Sequence, residues 1–372
     1  MKENVLIFGA GALSLGFLGP MLSEDYNLSF CDLEVKKDLI DSIQKENNYL
    51  INVCSDRIFP LRVCGVTALN LSSGEGKRAV QEILHSVRLV FTAVGSGGID
   101  KVMAFMRDSS KNRKERLYIF LSENDKSIIK RWSYIQGEKL ELCDTIMGRM
   151  CRIDIPDKYY KPVFPGSNEA VVAEDFHGLP VSSEIYRRAG LQGKAWEAMP
   201  GRKFKAASHL KLYGHNGAHA LLSYMGALKG LKRFHEADPA LVSEAVLFLN
   251  DEIIPSMTHE YGDVLNMNEL KAYCARLPAR ITSRTFSDTI ERGIRGSIDK
   301  IKEGERLVEG AMFVLKCGLV PRHFCRIIAA GIRINIRNGL LSGSDDGIIS
   351  GHCKIRDGEL AGLIKKEMEE LS

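Results

Sequence analysis

The segment His209-Leu-Lys-Leu-Tyr-Gly-His-Asn-Gly-Ala-His219 gathers a lysine, a carboxamide and imidazoles over a few helical turns. As an α-helix, with a step of ~100° per residue, it places Lys211 at roughly 0°, His219 near roughly 80° and Asn216 near roughly 140°. Lys211 and His219 then share a broad face, with Asn216 at its edge. Such a set suits oxidation of an alcohol without metal. Lys211, its pKa lowered by burial and neighbouring cations, takes the hydroxyl proton. The Asn216 amide stabilises the developing oxyanion, and His219 orients a hydroxyl. The residue types alone leave two alternatives open: a solvated helix face, or His215 and His219 as an i, i+4 metal pair. The pair would need a third ligand, and no H-E-x-x-H is present.

Chemistry of this kind needs a hydride acceptor, and the amino terminus offers a place for one. Gly9-Ala-Gly11 directly follows an apolar run at 4–8 and precedes a helical pattern. A dinucleotide site uses one glycine for the turn and another to let backbone amides approach a pyrophosphate. The third glycine of G-x-G-x-x-G is Ser14, with Gly16 two residues on. Asp32 ends the next apolar run, about 20 residues beyond Gly11, where a carboxylate accepts from a ribose diol and repels a 2′-phosphate. NAD is thereby favoured over NADP; the alternative for Asp32 is a plain strand-end turn residue. A second glycine segment, Ser73 to Arg78, lacks P-loop spacing and has Arg78 where a magnesium-binding hydroxyl belongs, so it reads as a loop.

The elements that must position these groups follow from length and pattern. The chain has 372 residues, enough for about two domains. Its 51 basic and 47 acidic residues leave a charge of +4, which points away from nucleic acid as a partner. Nine scattered cysteines with no C-x-x-C are neither a disulfide framework nor a zinc site, and suit a reducing cytoplasm. The apolar stretch 5–19 imitates a signal peptide, but it is interrupted by four glycines and followed by Glu24-Asp25 without a cleavage site. No other run is long and apolar enough for a membrane span, so a cytoplasmic location is expected. Strands are expected over 4–8, 27–31, 89–93 and 117–121, alternating with helical stretches, which argues for parallel βαβ units. Residues 156–180 read as loop-rich. Helical spacing dominates later, at 241–254, 304–315 and 324–336. The expected fold class is α/β: a Rossmann dinucleotide-binding domain over 1–198, then a mainly α-helical substrate domain over 199–372.

With Lys211, Asn216 five residues on and His219 three further, the chain resembles the polyol-specific long-chain dehydrogenases, the mannitol dehydrogenase family. Phe8-Gly-Ala-Gly11 with Gly16-Phe-Leu-Gly19 is like that family's nucleotide-binding start. Thr92-Ala-Val-Gly95 and Ser122-Glu-Asn124 resemble its later Rossmann loops. Asp288-Thr-Ile-Glu-Arg292, Lys300, and Glu305-Arg-Leu307 resemble its carboxy-terminal motif. The resemblance covers most of the chain. It implies that Lys211, Asn216 and His219 are catalytic and that Arg292 and Lys300 line the substrate pocket. It further implies that Gly9, Gly11, Gly16, Asp32, Ala93, Val94 and Asn124 hold NAD, without a metal, and that the helical half closes over the nicotinamide.

The implied partner is a small polyol or sugar phosphate, with no nucleic acid and no membrane, and the implied assembly is a monomer or homodimer. The implied reaction interconverts a polyol or polyol phosphate with its ketose, mannitol 1-phosphate and fructose 6-phosphate leading. A free-polyol or hexuronate oxidoreductase is the alternative. Outside the class stand a non-catalytic NAD sensor, which has no need of the lysine set, and a Rossmann methyltransferase, which would not explain it. Three departures stand out. Ser14 replaces a glycine, and His215 sits inside the signature. A second oxyanion-stabilising asparagine is not evident, because 144–153 aligns in two registers that put either Asp144 or Met147 there.

Overall fold

The computed structural model describes every residue except Met1, Ser96, Asn112, residues 124–126, Glu138 and Ser372. The chain divides into two compact units, Met1–Phe204 and Lys205–Ser372.

Six parallel strands form the main sheet of the first unit. Across the sheet they run Val66–Asn70, Tyr26–Asp32, Glu3–Phe8, Leu89–Thr92, Leu117–Leu121 and Leu140–Asp144. Counted along the chain within this sheet, the order is 3-2-1-4-5-6. That is the doubly wound order, whose ligand crevice lies outside the carboxyl ends where the strand order reverses. The central strand is buried on both faces. Val5 and Ile7 join one apolar cluster with Phe30 and Phe91, and Leu6 and Phe8 join another with Val90 and Ile119. Burial on two faces makes such strands continuous apolar runs. The four strands expected from those runs are all present, with ends within about one residue.

Elsewhere in this unit the sequence reading needs correction. Residues 156–180 contain the buried strand Ala170–Glu174 and the start of Leu179–Ser182. Ala170–Glu174 lies in a second sheet, ordered Ile58–Cys64, Asn48–Cys54, Ala170–Glu174 and Cys151–Asp154. Pro156, Pro162, Pro165 and Gly166 precede the strand Ala170–Glu174 and Pro180 lies inside Leu179–Ser182, so punctuation hides two strands too short to stand out by pattern. Ser73 to Arg78 is not a loop either but opens the helix Gly74–Ser86. The Ser73 hydroxyl accepts from the Gly76 N–H at 2.9 Å, an N-cap that the flanking glycines disguise.

The second unit is helical, and its principal helices are Asn216–Leu228, Pro239–Phe248, Ile254–Tyr261, Met267–Ile281, Arg306–Lys316, Arg322–Arg337 and Gly358–Glu370. Asn216–Leu228 is buried along nearly its whole length, as a helix apolar on all sides must be. The pattern at 241–254 is helical but passes through a widened π-turn, Leu249–Ile253, just before Pro255. Proline has no N–H to give to the preceding turn, and the wider turn accommodates it. Among the described residues, no helix is long and apolar enough to cross a membrane.

Candidate active site

At the carboxyl ends of the parallel strands, the first glycine has no substitute. Gly9 has φ +97°, and a Cβ there would lie 2.5 Å from the Ala93 carbonyl oxygen. Its N–H donates to Cys31 O at 2.8 Å, and the Ala93 N–H donates to Phe8 O at 2.8 Å, which ties three strand ends together. A Cβ on Gly11 would meet nothing within 4 Å, so its backbone borders open space, as a pyrophosphate requires. The Asp32 carboxylate accepts from the Ala10 N–H at 2.6 Å and the Leu33 N–H at 2.7 Å, and each oxygen keeps a further lone pair. Leu33 and Val35 follow it, 57% and 84% exposed. The next cations, Lys36 and Lys37, are engaged with Glu169 and Asp41, each at 2.6 Å. The residues around Asp32 therefore fit a ribose diol and offer a 2′-phosphate no free cation.

Ser14 opens a π-turn, Ser14–Leu18, and its buried hydroxyl has no hydrogen-bond partner among the described residues. The close helix-to-sheet approach falls instead to Gly16, where a Cβ would sit 3.0 Å from Cys151 Sγ and 3.3 Å from Val171. Cys151 and Val171 belong to the second sheet, so this close approach is to that sheet. Glu123, which the sequence reading did not single out, clasps the two later loops. It accepts from the Thr92 hydroxyl at 2.6 Å and the Val94 N–H at 3.1 Å. Burial raises its pKa, and these hydrogen bonds oppose the rise. Ala93 and Val94 thus sit in a fixed turn, while Asn124 lies outside the described residues.

The helix Gly201–His209, which begins in the last residues of the first unit, passes through a π-turn, Leu210–His215, into Asn216–Leu228. The α-helical reading put Asn216 at the edge of the Lys211 face, and the π-turn corrects it. Residues five apart stack where hydrogen bonds run i→i+5, and Lys211 Nζ donates to Asn216 Oδ1 at 2.6 Å. Asn216 Nδ2 is buried with no hydrogen-bond partner among the described residues. An orphaned buried amide costs about 1–3 kcal/mol, and a ligand oxygen would satisfy it.

His219 belongs to a second group. Its Nδ1 lies 3.4 Å from the Ser223 hydroxyl, its Nε2 3.9 Å from Asp288 Oδ2, and its ring packs on Phe234 at 4.7 Å. Burial lowers its pKa, with Asp288 pulling the other way, so the ring is neutral at pH 7. Asp288 is 2% exposed. Burial would raise its pKa, but the nearby His219 ring and above all the hydrogen bonds and charge of Arg292 outweigh that and hold it below the usual range. Arg292 Nε donates to Asp288 Oδ1 at 2.7 Å, and a second guanidinium nitrogen donates to Oδ2. One carboxylate therefore orients both the imidazole and the guanidinium. The i, i+4 spacing of Asp288 and Arg292 was the available signal for it.

Lys300 Nζ donates to Arg295 O at 2.6 Å and Gly293 O at 3.4 Å. Burial pushes its pKa down to about 8, helped by Arg306, Arg292 and Arg295. His215 is 3% exposed and lies 3.3 Å from the Tyr273 hydroxyl. Burial first, then Lys211, Arg280 and His219, hold it well below the ordinary histidine pKa. Among the described residues, no three His, Cys, Asp or Glu side chains gather as a metal site. Asp144 ends the sixth parallel strand opposite Leu121, and Met147 is buried in the apolar core. Neither carries an amide.

A doubly wound sheet with a glycine turn and a carboxylate at the end of its second strand, in a chain that also holds a helical unit with a lysine–asparagine pair, is the composition of a dehydrogenase. Residues 3–126 match the mannitol dehydrogenase Rossmann domain, and residues 204–339 match the mannitol dehydrogenase C-terminal domain. The chain belongs to the mannitol dehydrogenase family and is an NAD-dependent oxidoreductase acting on polyols. It is 24% identical to mannitol-1-phosphate 5-dehydrogenase of Thermoanaerobacter pseudethanolicus over 87% of this chain and 84% of that one. It is 26% identical to the Arthrobacter sp. protein of the same name, over 88% and 85%. Its fold is similar to that of Pseudomonas fluorescens mannitol 2-dehydrogenase, whose structure is a ternary complex with NAD and D-mannitol. That match has a TM-score of 0.72 at 14% identity and covers 100% of this chain and 92% of that one. A D-sorbitol dehydrogenase follows at a TM-score of 0.67 and 12% identity, covering 99% and 93%.

Proposed function

We propose that this chain interconverts a polyol phosphate and its ketose phosphate in the cytoplasm, with mannitol 1-phosphate and fructose 6-phosphate as the pair, and needs no metal. The first unit holds NAD through Gly9, Gly11, Gly16, Asp32, Ala93, Val94 and Asn124. The second carries the substrate chemistry. The observation that bears most weight is the Lys211–Asn216 pair, with its orphaned amide beside the donated lysine bond. Lys211 accepts the hydroxyl proton, Asn216 Nδ2 donates to the developing oxyanion, and neutral His219 hydrogen-bonds a substrate hydroxyl. Bound NAD supplies the hydride acceptor. Arg292, fixed by Asp288, and Lys300 bind the polar end of the sugar. The names of the curated relatives favour the phosphorylated substrate. A hexuronate is the second reading, because cations at Arg292 and Lys300 also suit a carboxylate.

The deciding experiment is a panel of polyols, polyol phosphates and hexonates with NAD, read by absorbance of the reduced cofactor. Mannitol 1-phosphate should give the highest kcat/KM, and a chelator should leave the rate unchanged. For the cofactor, Asp32→Ala should narrow the preference for NAD over NADP by roughly 10- to 100-fold, the worth of hydrogen bonds to a charged group. Equal use of both cofactors by the unmodified protein would count against this role for Asp32.

A further inference from the structure

Arg306 opens the helix Arg306–Lys316 and is partly buried. Among the described residues its guanidinium makes no hydrogen bond and no ion pair, although it interacts electrostatically with Tyr224 and with the exposed Glu305. A guanidinium drawn out of water without a partner is costly. The Tyr224 ring is fully buried, and among the described residues its hydroxyl has no hydrogen-bond partner.

Lys300 lies within reach of the charges of Arg306, Arg292 and Arg295. Two of its three protons go to the carbonyls of Arg295 and Gly293, at 2.6 Å and 3.4 Å. The charge of Arg292 is met by Asp288. What remains is Lys300, with no ion pair among the described residues, and the partly buried Arg306, whose nearby counter-charge is the exposed Glu305; the exposed Arg295 adds a further positive charge beside Lys300. With them come one lysine proton, the donors of a whole guanidinium and an orphaned phenol.

We infer that Arg306, with Lys300 and the Tyr224 hydroxyl, forms an anion subsite that takes the phosphate of a phosphorylated polyol; this deepens the function proposed above and rests on it. A phosphate monoester carries nearly two charges and three acceptor oxygens. It answers two cations and a hydroxyl donor more fully than a carboxylate does, and the planar guanidinium fork matches two of its oxygens.

Arg306→Gln and Arg306→Lys in the full chain test this with mannitol 1-phosphate, mannitol and gluconate as substrates. For mannitol 1-phosphate, Arg306→Gln should raise KM by roughly 10- to 100-fold with little change in kcat. The KM for mannitol should move far less, so that the ratio between the two substrates collapses, and Arg306→Lys should fall between. Inorganic phosphate should compete with mannitol 1-phosphate in the unmodified protein and lose that effect in Arg306→Gln. Thermal stability should hold or rise in Arg306→Gln, because a partly buried charge with no hydrogen bond among the described residues has been removed; a merely structural arginine would lower it. Equal losses for mannitol and its phosphate, undiminished phosphate competition, or preferred turnover of gluconate would each overturn the assignment. If neither mannitol nor its phosphate reduces NAD, the functional reading fails. The subsite is then judged by calorimetric titration of inorganic phosphate, which must bind the unmodified protein and not Arg306→Gln.

Discussion

Lys211→Ala should lower kcat for polyol oxidation by on the order of 10²- to 10⁴-fold, the range for loss of a positioned general base, while NAD affinity stays within about twofold. Lys211 lies in the π-turn Leu210–His215 with Nζ on Asn216 Oδ1 at 2.6 Å, whereas the glycine turn at Gly9 and Gly11, proposed above to hold NAD, belongs to the other unit. A lysine accepts a proton only once it has lost its own. Oxidation should therefore rise with pH, ketose reduction should rise as pH falls, and the alanine variant should lose both dependences. Lys211→Arg keeps a cation that does not deprotonate and should be nearly as impaired as alanine, which separates base catalysis from mere charge. Near-native kcat with the same pH profile in either variant would remove Lys211 from the mechanism. Equilibrium NAD binding without turnover by the unmodified protein would favour the sensor reading.

This expectation also marks how far the sequence carried. Lys211, Asn216 and His219 stand out by type and spacing, and the parallel strands stand out because burial on two faces leaves unbroken apolar runs such as Val5–Phe8 and Leu117–Leu121. The π-turns do not stand out. One inserted residue changes which side chains stack without changing composition, so Asn216 reads as an edge residue although it pairs with Lys211. Ser14 and Gly16 pose the same problem at the other site: Ser14 opens a π-turn that no spacing rule contains, and Gly16 packs on the second sheet. Asp288 and Glu123 act by joining segments far apart in sequence, His219 to Asp288 and Thr92 to Glu123. Pairings of that range are decided by packing, which a single chain read residue by residue does not contain. The strand Ala170–Glu174 was hidden similarly, since its partners Asn48–Cys54 and Cys151–Asp154 come from distant segments.

The histidines of the second unit should make it acid-labile well above the carboxylate range. Burial first, with Lys205 adding, pushes His209 down to about 4, and its Nδ1 sits 3.0 Å from the Tyr261 hydroxyl. His215 and His219 are likewise lowered, chiefly by burial. In the unfolded chain each titrates near pH 6.5. Between that pH and the folded values the unfolded state binds more protons, so stability rises with pH and is lost on acidification. A histidine moved from about 6.5 to about 4 corresponds to on the order of 3 kcal/mol.

Glu252 works in the opposite sense. It accepts backbone N–H groups of His323 and Phe324, the latter at 3.2 Å, yet burial outweighs these bonds and pushes its pKa up to about 8. Its folded state holds the extra proton, so its contribution falls as pH rises from about 4.5 through 8. Below pH 6.5 three histidines outnumber one carboxyl, and stability should fall by roughly 1–3 kcal/mol per pH unit. Above it Glu252 should impose a shallower decline, which Lys300, pushed down to about 8 and so losing its proton first in the folded state, opposes as pH approaches 8, leaving a broad maximum near neutrality. Urea unfolding followed by far-ultraviolet circular dichroism from pH 4.5 to 8 measures both limbs. Glu252→Gln, which keeps the shape without the charge, should flatten the alkaline limb and spare the acid one. A stability that stays level from pH 7 to 4.5 would mean that these imidazoles are hydrated in the folded protein and not buried as described.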